Sequence, residues 1–527
     1  MIGKLQTLVT LTRAGVVHPE RPDRVLHTAL ALLRFGTTPA AGYAAAARNF
    51  PREPAVIDEL GTLSFSELDA RANALARAWA ADGIAPGDGV AIMCRNHRGW
   101  IDATLACSKL GAHALFLNTA FSGPQLADVA KREKPKAVVF DEEFTDVLKD
   151  AAFRRKRYVA WHDDRTRDPT LEAKIEGSSP ASLPPPEQQG RAIILTSGTT
   201  GTPKGAARSM PKSIDPIAAL LSVIPLRARE KTMLAAPLFH AWGFAQWALG
   251  ISLASTIVLK RKFDEEATLS LTAQHECTAL VVVPVMIQRI LELDDAVLDR
   301  YDLSRVRAVP VSGSALPGAI SSRWMDHFGE NLYNLYGSTE VAWATIATPR
   351  DLRETPGTVG RPPRGSVVKI FDTYGFPVPP GETGRIYVGN DVRFEGYTGG
   401  GGKDELEGLL SSGDVGHFDR AGRLFIDGRD DDMIVSGGEN VFPSEIEDLL
   451  HAHPAVADVA VFGVDDERFG QRLKAVVVKR GELTAAEVRA YVKENLAGYK
   501  APRDVEFVAE LPRTATGKVL KRELKAM

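Results

Sequence analysis

Short stretches in which every side chain is apolar recur in this chain, and they restrict its fold more than any other feature. Val90-Ala-Ile-Met93 and Ala137-Val-Val-Phe140 each read as a buried strand, and Ala192-Ile-Ile-Leu195 reads as another strand. A strand with one wet face alternates polar and apolar residues. A strand without that alternation is buried on both faces, as in parallel sheets covered by helices. Helical patterns separate the strands. Leu68, Ala72, Leu75, Ala76 and Trp79 fall at helical spacing after Ser66-Glu-Leu-Asp69, which reads as a capped start, with Gly83 as the stop. The alternation predicts an α/β fold built on a parallel sheet.

A second cycle of strands and helices runs from Arg191 to about Tyr336, and the Pro-rich stretch from Ser178 to Pro186 reads as a linker between the halves. After Pro349 the texture changes to Gly/Pro turns and short alternating strands, among them Ser366-Val-Val-Lys-Ile-Phe371 and Gly384-Arg-Ile-Tyr-Val388. A small β subdomain is expected there. A C-terminal domain is expected from near Asp430. In it Ser444-Glu-Ile-Glu447 and Thr484-Ala-Ala-Glu487 read as capping boxes that open helices on either side of the strand Lys474-Ala-Val-Val-Val-Lys479. The run from Gly399 to Gly402 reads as a surface loop.

Composition excludes several classes. The 64 basic and 67 acidic side chains leave a net charge of −3, without the concentrated basic footprint of a nucleic-acid binder. Cys94, Cys107 and Cys277 are too few and too far apart for a disulfide framework or a Cys-only zinc site, which points to a reducing, cytoplasmic setting. No apolar run approaches the ~18–20 residues of a membrane-spanning helix. Residues 1–47 read as an N-terminal extension. Within it Val25, Leu26, Ala29, Leu30, Leu32 and Leu33 share one helical face, with Arg24, His27 and Arg34 elsewhere. The expectation is a helix packed on its own protein, and the second reading is a weak peripheral contact with a membrane. A homodimer stays open.

The chemistry concentrates in Thr196-Ser-Gly-Thr-Thr-Gly-Thr-Pro-Lys-Gly205, which follows a strand and precedes a helical pattern. Glycines let the backbone turn its N–H groups toward an anion, hydroxyls add donors, and Lys204 adds positive charge. The spacing is not that of a Walker A loop. The segment reads as a phosphate-binding loop.

Further motifs follow in a fixed order: Pro237-Leu-Phe-His-Ala-Trp-Gly243, Asn334-Leu-Tyr-Gly-Ser-Thr-Glu340, Ser412-Gly-Asp-Val-Gly416, Gly428-Arg-Asp-Asp-Asp-Met-Ile434, Ser436-Gly-Gly-Glu-Asn440 and Pro512-Arg-Thr-Ala-Thr-Gly-Lys518. Together with the phosphate loop they resemble the adenylate-forming superfamily of acyl-CoA synthetases, luciferases and peptide-synthetase adenylation domains. The pairing of Pro-Leu-Phe-His with Ser-Gly-Gly-Glu-Asn looks most like fatty acyl-CoA synthetases. The resemblance covers roughly residues 48–527. It implies a large N-terminal domain, 48–429, of two stacked βα subdomains plus the small β subdomain, and a smaller mobile α+β C-terminal domain, 430–527.

It also implies a reaction and its residues. A carboxylate attacks the α-phosphate of ATP, giving an acyl-adenylate, and coenzyme A then takes the acyl group as a thioester. Two anions meet in the first step, so cations must cover the developing charge. By resemblance Thr196, Ser197, Gly198, Thr199, Thr200, Gly201 and Lys204 hold the terminal phosphates. Glu340, with Thr196, ligates Mg²⁺, a cation that prefers oxygen, and Thr339 touches the α-phosphate. Lys518 bridges carboxylate and α-phosphate as the catalytic lysine. Asp414 takes the ribose hydroxyls with Arg429 close by. Tyr336, next to Gly337, stacks on adenine, and Gly313, Ser314 and Ala315 line its other side. Asp431 is the hinge, and Gly437, Gly438 and Glu439 approach the pantetheine arm. His240, Trp242, Phe244, Val283 and Met286 surround the acid, with Phe244 where long-chain enzymes place an aromatic gate.

The acid is expected to be a medium- or long-chain fatty acid. The alternatives are an aromatic or steroid side-chain acid, and loading of a carrier protein instead of coenzyme A. Two stretches, Phe394-Glu-Gly-Tyr-Thr-Gly-Gly-Gly-Gly-Lys403 and Gly408-Leu-Leu-Ser-Ser-Gly413, depart from the family pattern.

Overall fold

The computed structural model describes residues 2–17, 21–149, 156–163, 166–196, 204–208, 213–392, 394–398, 400–430, 434–436, 439–466, 470–514 and 517–526. Two sheets face each other across helices in the large N-terminal part. One has seven strands in the order Phe394–Tyr397, Lys204–Arg208, Ala192–Thr196, His113–Phe116, Gly89–Met93, Ala137–Asp141, Lys156–Trp161. The last five of that order run parallel, and the first two pair antiparallel at one edge. The second sheet has the order Ala279–Val281, Lys231–Leu234, Thr256–Val258, Pro54–Asp58, Gly61–Ser64. Bridges at Ala279–Ala308 and Val282–Val311 join it to the small sheet Val309–Val311, Leu332–Ser338, Ala342–Ala347. The all-apolar runs sit in the sheet interior, as their lack of alternation predicts.

Helix Arg98–Leu110 is buried along its whole length between these layers. It carries three charges, and each has a partner, as burial of charge requires. Arg98 pairs with Asp58 at 2.5 Å, Arg71 reaches Asp102 at 2.8 Å, and Lys109 meets Asp69 at 2.7 Å. The β subdomain, Val367–Phe371, Gly384–Gly389, Leu409–Phe418, Glu405–Leu406 and Leu424–Arg429, is antiparallel throughout. The smaller C-terminal domain has its own sheet, with Gly470–Lys479 at its centre and Val456–Asp466 along one edge, and its own apolar core around Ile446, Val461, Val477 and Val492. Among the described residues no helix is long and apolar enough to cross a membrane.

Four local expectations need correction. The first helix of the N-terminal half is capped by Ser64 rather than Ser66: Ser64 and Glu67 form the reciprocal box, and the Ser66 hydroxyl donates to the Pro51 carbonyl. Ser444–Glu447 forms no capping box, because Pro443 already opens the helix Pro443–His451. The Ser444 hydroxyl instead donates to the Asp427 carbonyl, and Glu447 accepts from the Val461 amide. Thr484 and Glu487 do form theirs. Third, the phosphate-loop segment is followed by the strand Lys204–Arg208 and not by a helix, since Lys204 pairs back onto Thr196.

The fourth concerns the helix Pro22–Phe35. It packs on the helix Pro39–Asn49 through Ala31 and Phe35, against Ala40, Ala41 and Ala45. Arg24, His27 and Arg34 share that inward side: Arg24 lies over the Phe50 ring, His27 hydrogen-bonds Asn49, and Arg34 reaches the Leu183 carbonyl. The apolar face expected to pack inward therefore points outward.

Candidate active site

The strand Leu332–Ser338 turns sharply into Ala342–Ala347, and the turn holds Thr339 and Glu340. Ser338 fastens it. Its hydroxyl oxygen accepts from the amides of Glu340 at 3.2 Å and Val341 at 3.3 Å, and the hydroxyl donates to Glu340 Oε2 at 2.9 Å. Tyr397 donates its hydroxyl to Glu340 Oε1 at 2.8 Å. Each carboxylate oxygen thus has one fixed donor and keeps a further lone pair. That is an oriented, half-buried oxygen ligand of the kind a hard divalent cation takes. Tyr397 lies on the strand Phe394–Tyr397, opposite Ala206 of the strand that begins at Lys204. The end of the phosphate loop and Glu340 are thereby tied to one sheet edge.

Asp414 and Arg429 are register partners on neighbouring strands, with Arg429 NH1 3.6 Å from Asp414 Oδ1. The Tyr336 hydroxyl donates to Asp414 Oδ2 at 2.6 Å. Burial pushes the Asp414 carboxyl up, while the Tyr336 hydrogen bond and the charges of Arg429, Lys518 and Lys403 pull it down. Burial beside Asp414 holds the Tyr336 hydroxyl well above its usual range, so it stays protonated as a donor. The sequence reading aimed Tyr336 at a purine. The structure also makes it a support for the ribose-binding candidate.

Lys518 comes from the C-terminal domain and is exposed, within electrostatic reach of Asp414. Its neighbour Gly517, at φ +83°, docks that turn on the helix Pro284–Ile290; a Cβ there would lie 2.4 Å from Val285 Cγ1. The domains also meet where Gln288 donates to the Ala457 carbonyl at 3.0 Å. Gly313, at φ +108°, Ser314 and Ala315 form the turn after Val309–Val311 and face open space.

On the acid side, Asn96 fixes the segment leading to His240. Its amide nitrogen donates to the carbonyls of Leu234, Ala235 and Ala236, and its oxygen accepts from the Leu238 amide at 2.9 Å. His240 caps the helix Ala241–Ser252, its Nδ1 accepting from the Trp242 amide at 3.3 Å. The ring is half-buried and largely enclosed by protein, and this desolvation lowers its pKa to about 4, leaving it neutral. Trp242 is held by a hydrogen bond from Nε1 to the Val282 carbonyl at 2.9 Å. Phe244 meets Phe116 at 5.2 Å, Trp247 at 5.9 Å and Trp100 at 6.4 Å between ring centroids. Those three rings are fully buried behind it. Val283 and Met286 are buried core residues, Val283 lying under Gly313.

Hydrogen bonds and charges thus bring Tyr336, Glu340, Asp414, Arg429 and Lys518 near one another, with Gly337 and Thr339 in the strand and turn beside Glu340, while His240 and Phe244 share the start of the helix Ala241–Ser252. Ser197 to Gly201, Asp431, Gly437 and Gly438 lie outside the described residues, as do the side chains of Thr196, Lys204 and Glu439. Sequence reasoning missed Ser338, Tyr397, Asn96 and the rings behind Phe244. Tyr397 stands inside one of the two stretches that depart from the family pattern, so its signal was present there as a lone tyrosine. Cys94, His97 and Asp141 also cluster, with ligand atoms within 4.8 Å. His97 Nδ1 accepts from Gly99 and its Nε2 hydrogen-bonds Asp141, which also accepts from the Arg95 amide. Those atoms are engaged in holding the fold.

A family model described as "AMP-binding enzyme" matches residues 43–398, and one described as "AMP-binding enzyme C-terminal domain" matches residues 445–518. The chain belongs to the AMP-binding enzyme family. This AMP-binding enzyme is 33% identical to a feruloyl-CoA synthase of Amycolatopsis sp, over 91% of its own length and 96% of the relative's. It is 33% identical to an indoleacetate–CoA ligase of Aromatoleum aromaticum, over 88% and 93% of the two chains. The crystal structure of an anthranilate CoA ligase in complex with anthranoyl-AMP superposes with a TM-score of 0.82 at 25% identity, covering 93% of this chain and 96% of that one. The AMP-binding enzyme is an adenylate-forming acid–thiol ligase with a large N-terminal and a smaller C-terminal domain.

Proposed function

We propose that this enzyme joins an aromatic or arylalkanoic carboxylic acid to coenzyme A at the expense of ATP. The observation that carries the substrate class is the ring cluster behind Phe244. A long straight chain needs a channel that continues past this wall, and Trp100, Phe116 and Trp247 fill that direction. A flat ring needs width and an aromatic wall, and aromatic pairs prefer the tilted contacts such a wall offers. The named substrates of the relatives support the same class. The medium- or long-chain fatty acid of the sequence reading becomes the second reading.

In the first step the substrate carboxylate oxygen forms a bond to the α-phosphorus of ATP as the bond to pyrophosphate breaks. Lys518 supplies a positive charge where carboxylate and α-phosphate meet, a gain realised in the transition state. Asp414, oriented by Tyr336 and flanked by Arg429, accepts the ribose hydroxyls. Thr339 meets the α-phosphate, Gly313 to Ala315 line the adenine, and the 196–204 segment receives the terminal phosphates. Glu340, held by Ser338 and Tyr397, would hold Mg²⁺ together with Thr196, and the bound cation would neutralise phosphate charge. In the second step the thiol sulfur bonds the acyl carbon, the bond to AMP breaks, and the thiol proton is released. Asp431 acts as the hinge between steps, with 437–439 along the pantetheine path.

The test is a substrate panel scored by kcat/KM for thioester formation: aryl-propenoic, arylacetic and benzoic acids against straight-chain acids of increasing length. Cyclic acids are expected to lead by about tenfold or more, the scale on which pocket shape discriminates. Higher values for the long straight chains would overturn the substrate class while leaving the ligase chemistry in place.

A further inference from the structure

The helix Pro22–Phe35 presents to solvent the side that a surface helix normally buries. Val25, Leu26, Leu30, Leu32 and Leu33 are all exposed, Leu33 by 85%. On a wheel of 3.6 residues per turn they form one arc with Pro22 and Ala29. The opposite, inward side holds the basic and polar residues. A second exposed apolar stripe, Leu5, Leu8 and Val9, lies on the preceding helix Ile2–Arg13, which packs on the helix Asp215–Leu221. The two regions are linked: Ala14 bonds Ala228, whose neighbour Arg229 lies over the same Phe50 ring as Arg24.

We propose that this face is a docking surface for an anionic lipid bilayer. Charge argues for it. Of the basic residues in 1–49, Arg24 and Arg34 turn inward and Arg21 pairs with Asp23, which leaves three exposed cations outside any ion pair with that segment's acids, in a chain whose total charge is −3. Lys4, Arg13 and Arg48 are exposed in this segment. An apolar helical arc among cations is what binds in the plane of a negatively charged membrane interface. A second copy of the chain fits less well. An isologous contact sets a patch against itself, so the exposed cations Lys4, Arg13 and Arg48 would meet their own copies. Area argues the same way. Fourteen residues at ~1.5 Å rise, about 10 Å wide, cover roughly 200 Å², and doubling that for the second stripe stays below the ~800 Å² per partner of a stable interface.

The placement has a consequence for the acid pocket. Beneath the docking helix lies Pro39–Asn49, where Tyr43 accepts a hydrogen bond from Trp247 Nε1 at 3.1 Å. Trp247 is one of the rings behind Phe244. Docking would bring the bilayer, where apolar acids concentrate, within two helix layers of the acid wall.

The experiment is vesicle flotation of the purified full chain. Vesicles of phosphatidylglycerol mixed with phosphatidylcholine are compared with phosphatidylcholine alone, at low and high salt, alongside light scattering. The protein is expected to float with anionic vesicles, less in high salt. The exposed triple variant Leu26→Gln, Leu30→Gln, Leu33→Gln should bind at least about tenfold more weakly, with unchanged thermal unfolding. No flotation of the parent, or equal flotation on neutral vesicles, would overturn the proposal without needing the variant. Flotation unaffected by a folded triple variant would overturn it too. A dimer that the substitutions convert to monomer, without flotation, would assign the face to a second copy.

Discussion

Glu340 shows how two neighbours give one carboxylate a fixed direction. Alone it would be a solvated carboxylate, but Ser338 holds one oxygen and Tyr397 the other. A hydrogen bond to a charged group is worth roughly 1.5–3 kcal/mol. Tyr397→Phe should therefore lower kcat/KM for ATP by about tenfold with the far-ultraviolet spectrum unchanged, and activity equal to the parent's would remove Tyr397 from the account. His240 makes a pH prediction. Its folded pKa is about 4 against 6.5 for the free side chain. Between those values the unfolded chain holds the extra proton, so stability is fully present above pH 6.5 and falls as pH drops toward 4. His240→Asn should flatten that fall by up to about 2 kcal/mol, since water reaches and screens the half-buried ring. Urea midpoints at neutral and acid pH check it, and the same acid loss in both proteins would contradict it. At this scale the motif residues stand out in the sequence because the signal they carry is local. Tyr397 and Asn96 were not, because each acts on a segment distant in sequence that only the folded sheet brings near.

Among the elements, caps and strands were read well where the signal was self-contained. Thr484 with Glu487 closes its box because nothing else claims either side chain. Ser444 and Glu447 had the same spacing but found tertiary partners, and Pro443 had already set the helix start. The helix Pro22–Phe35 was recognised by its period, but periodicity gives a face and not its direction. Its Ala-rich neighbour admits only Ala31 and Phe35, which leaves the leucines outside. The turn holding Lys518 makes the sharpest prediction of this kind. Gly517→Ala adds a Cβ at positive φ, against Val285, a strain of roughly 1 kcal/mol or more. Adenylate formation should fall about tenfold while thioester formation from supplied acyl-adenylate persists. Equal loss of both steps would count against docking of this turn as the adenylation geometry.

At the scale of the whole molecule, the all-apolar runs dictated parallel strands under helices, and the two facing sheets follow from them. The closing of the acid wall was not legible in sequence. Trp100, Phe116, Phe244 and Trp247 come from three separate elements, and the segment leading into the helix that carries Phe244 and Trp247 is set by Asn96. The C-terminal domain brings Lys518 within electrostatic reach of Asp414. The proposed mechanism rests on that juxtaposition, with one domain to bind the nucleotide and the other to deliver charge for the first step. The most direct measurement uses Lys518→Ala in both half-reactions, followed as acid-dependent pyrophosphate release and as thioester formation from supplied acyl-adenylate. Adenylation should fall by about a hundredfold or more, the scale of removing a transition-state contact, with ATP binding and the second step largely retained. Full adenylation activity, or equal loss of both steps, would contradict that mechanism.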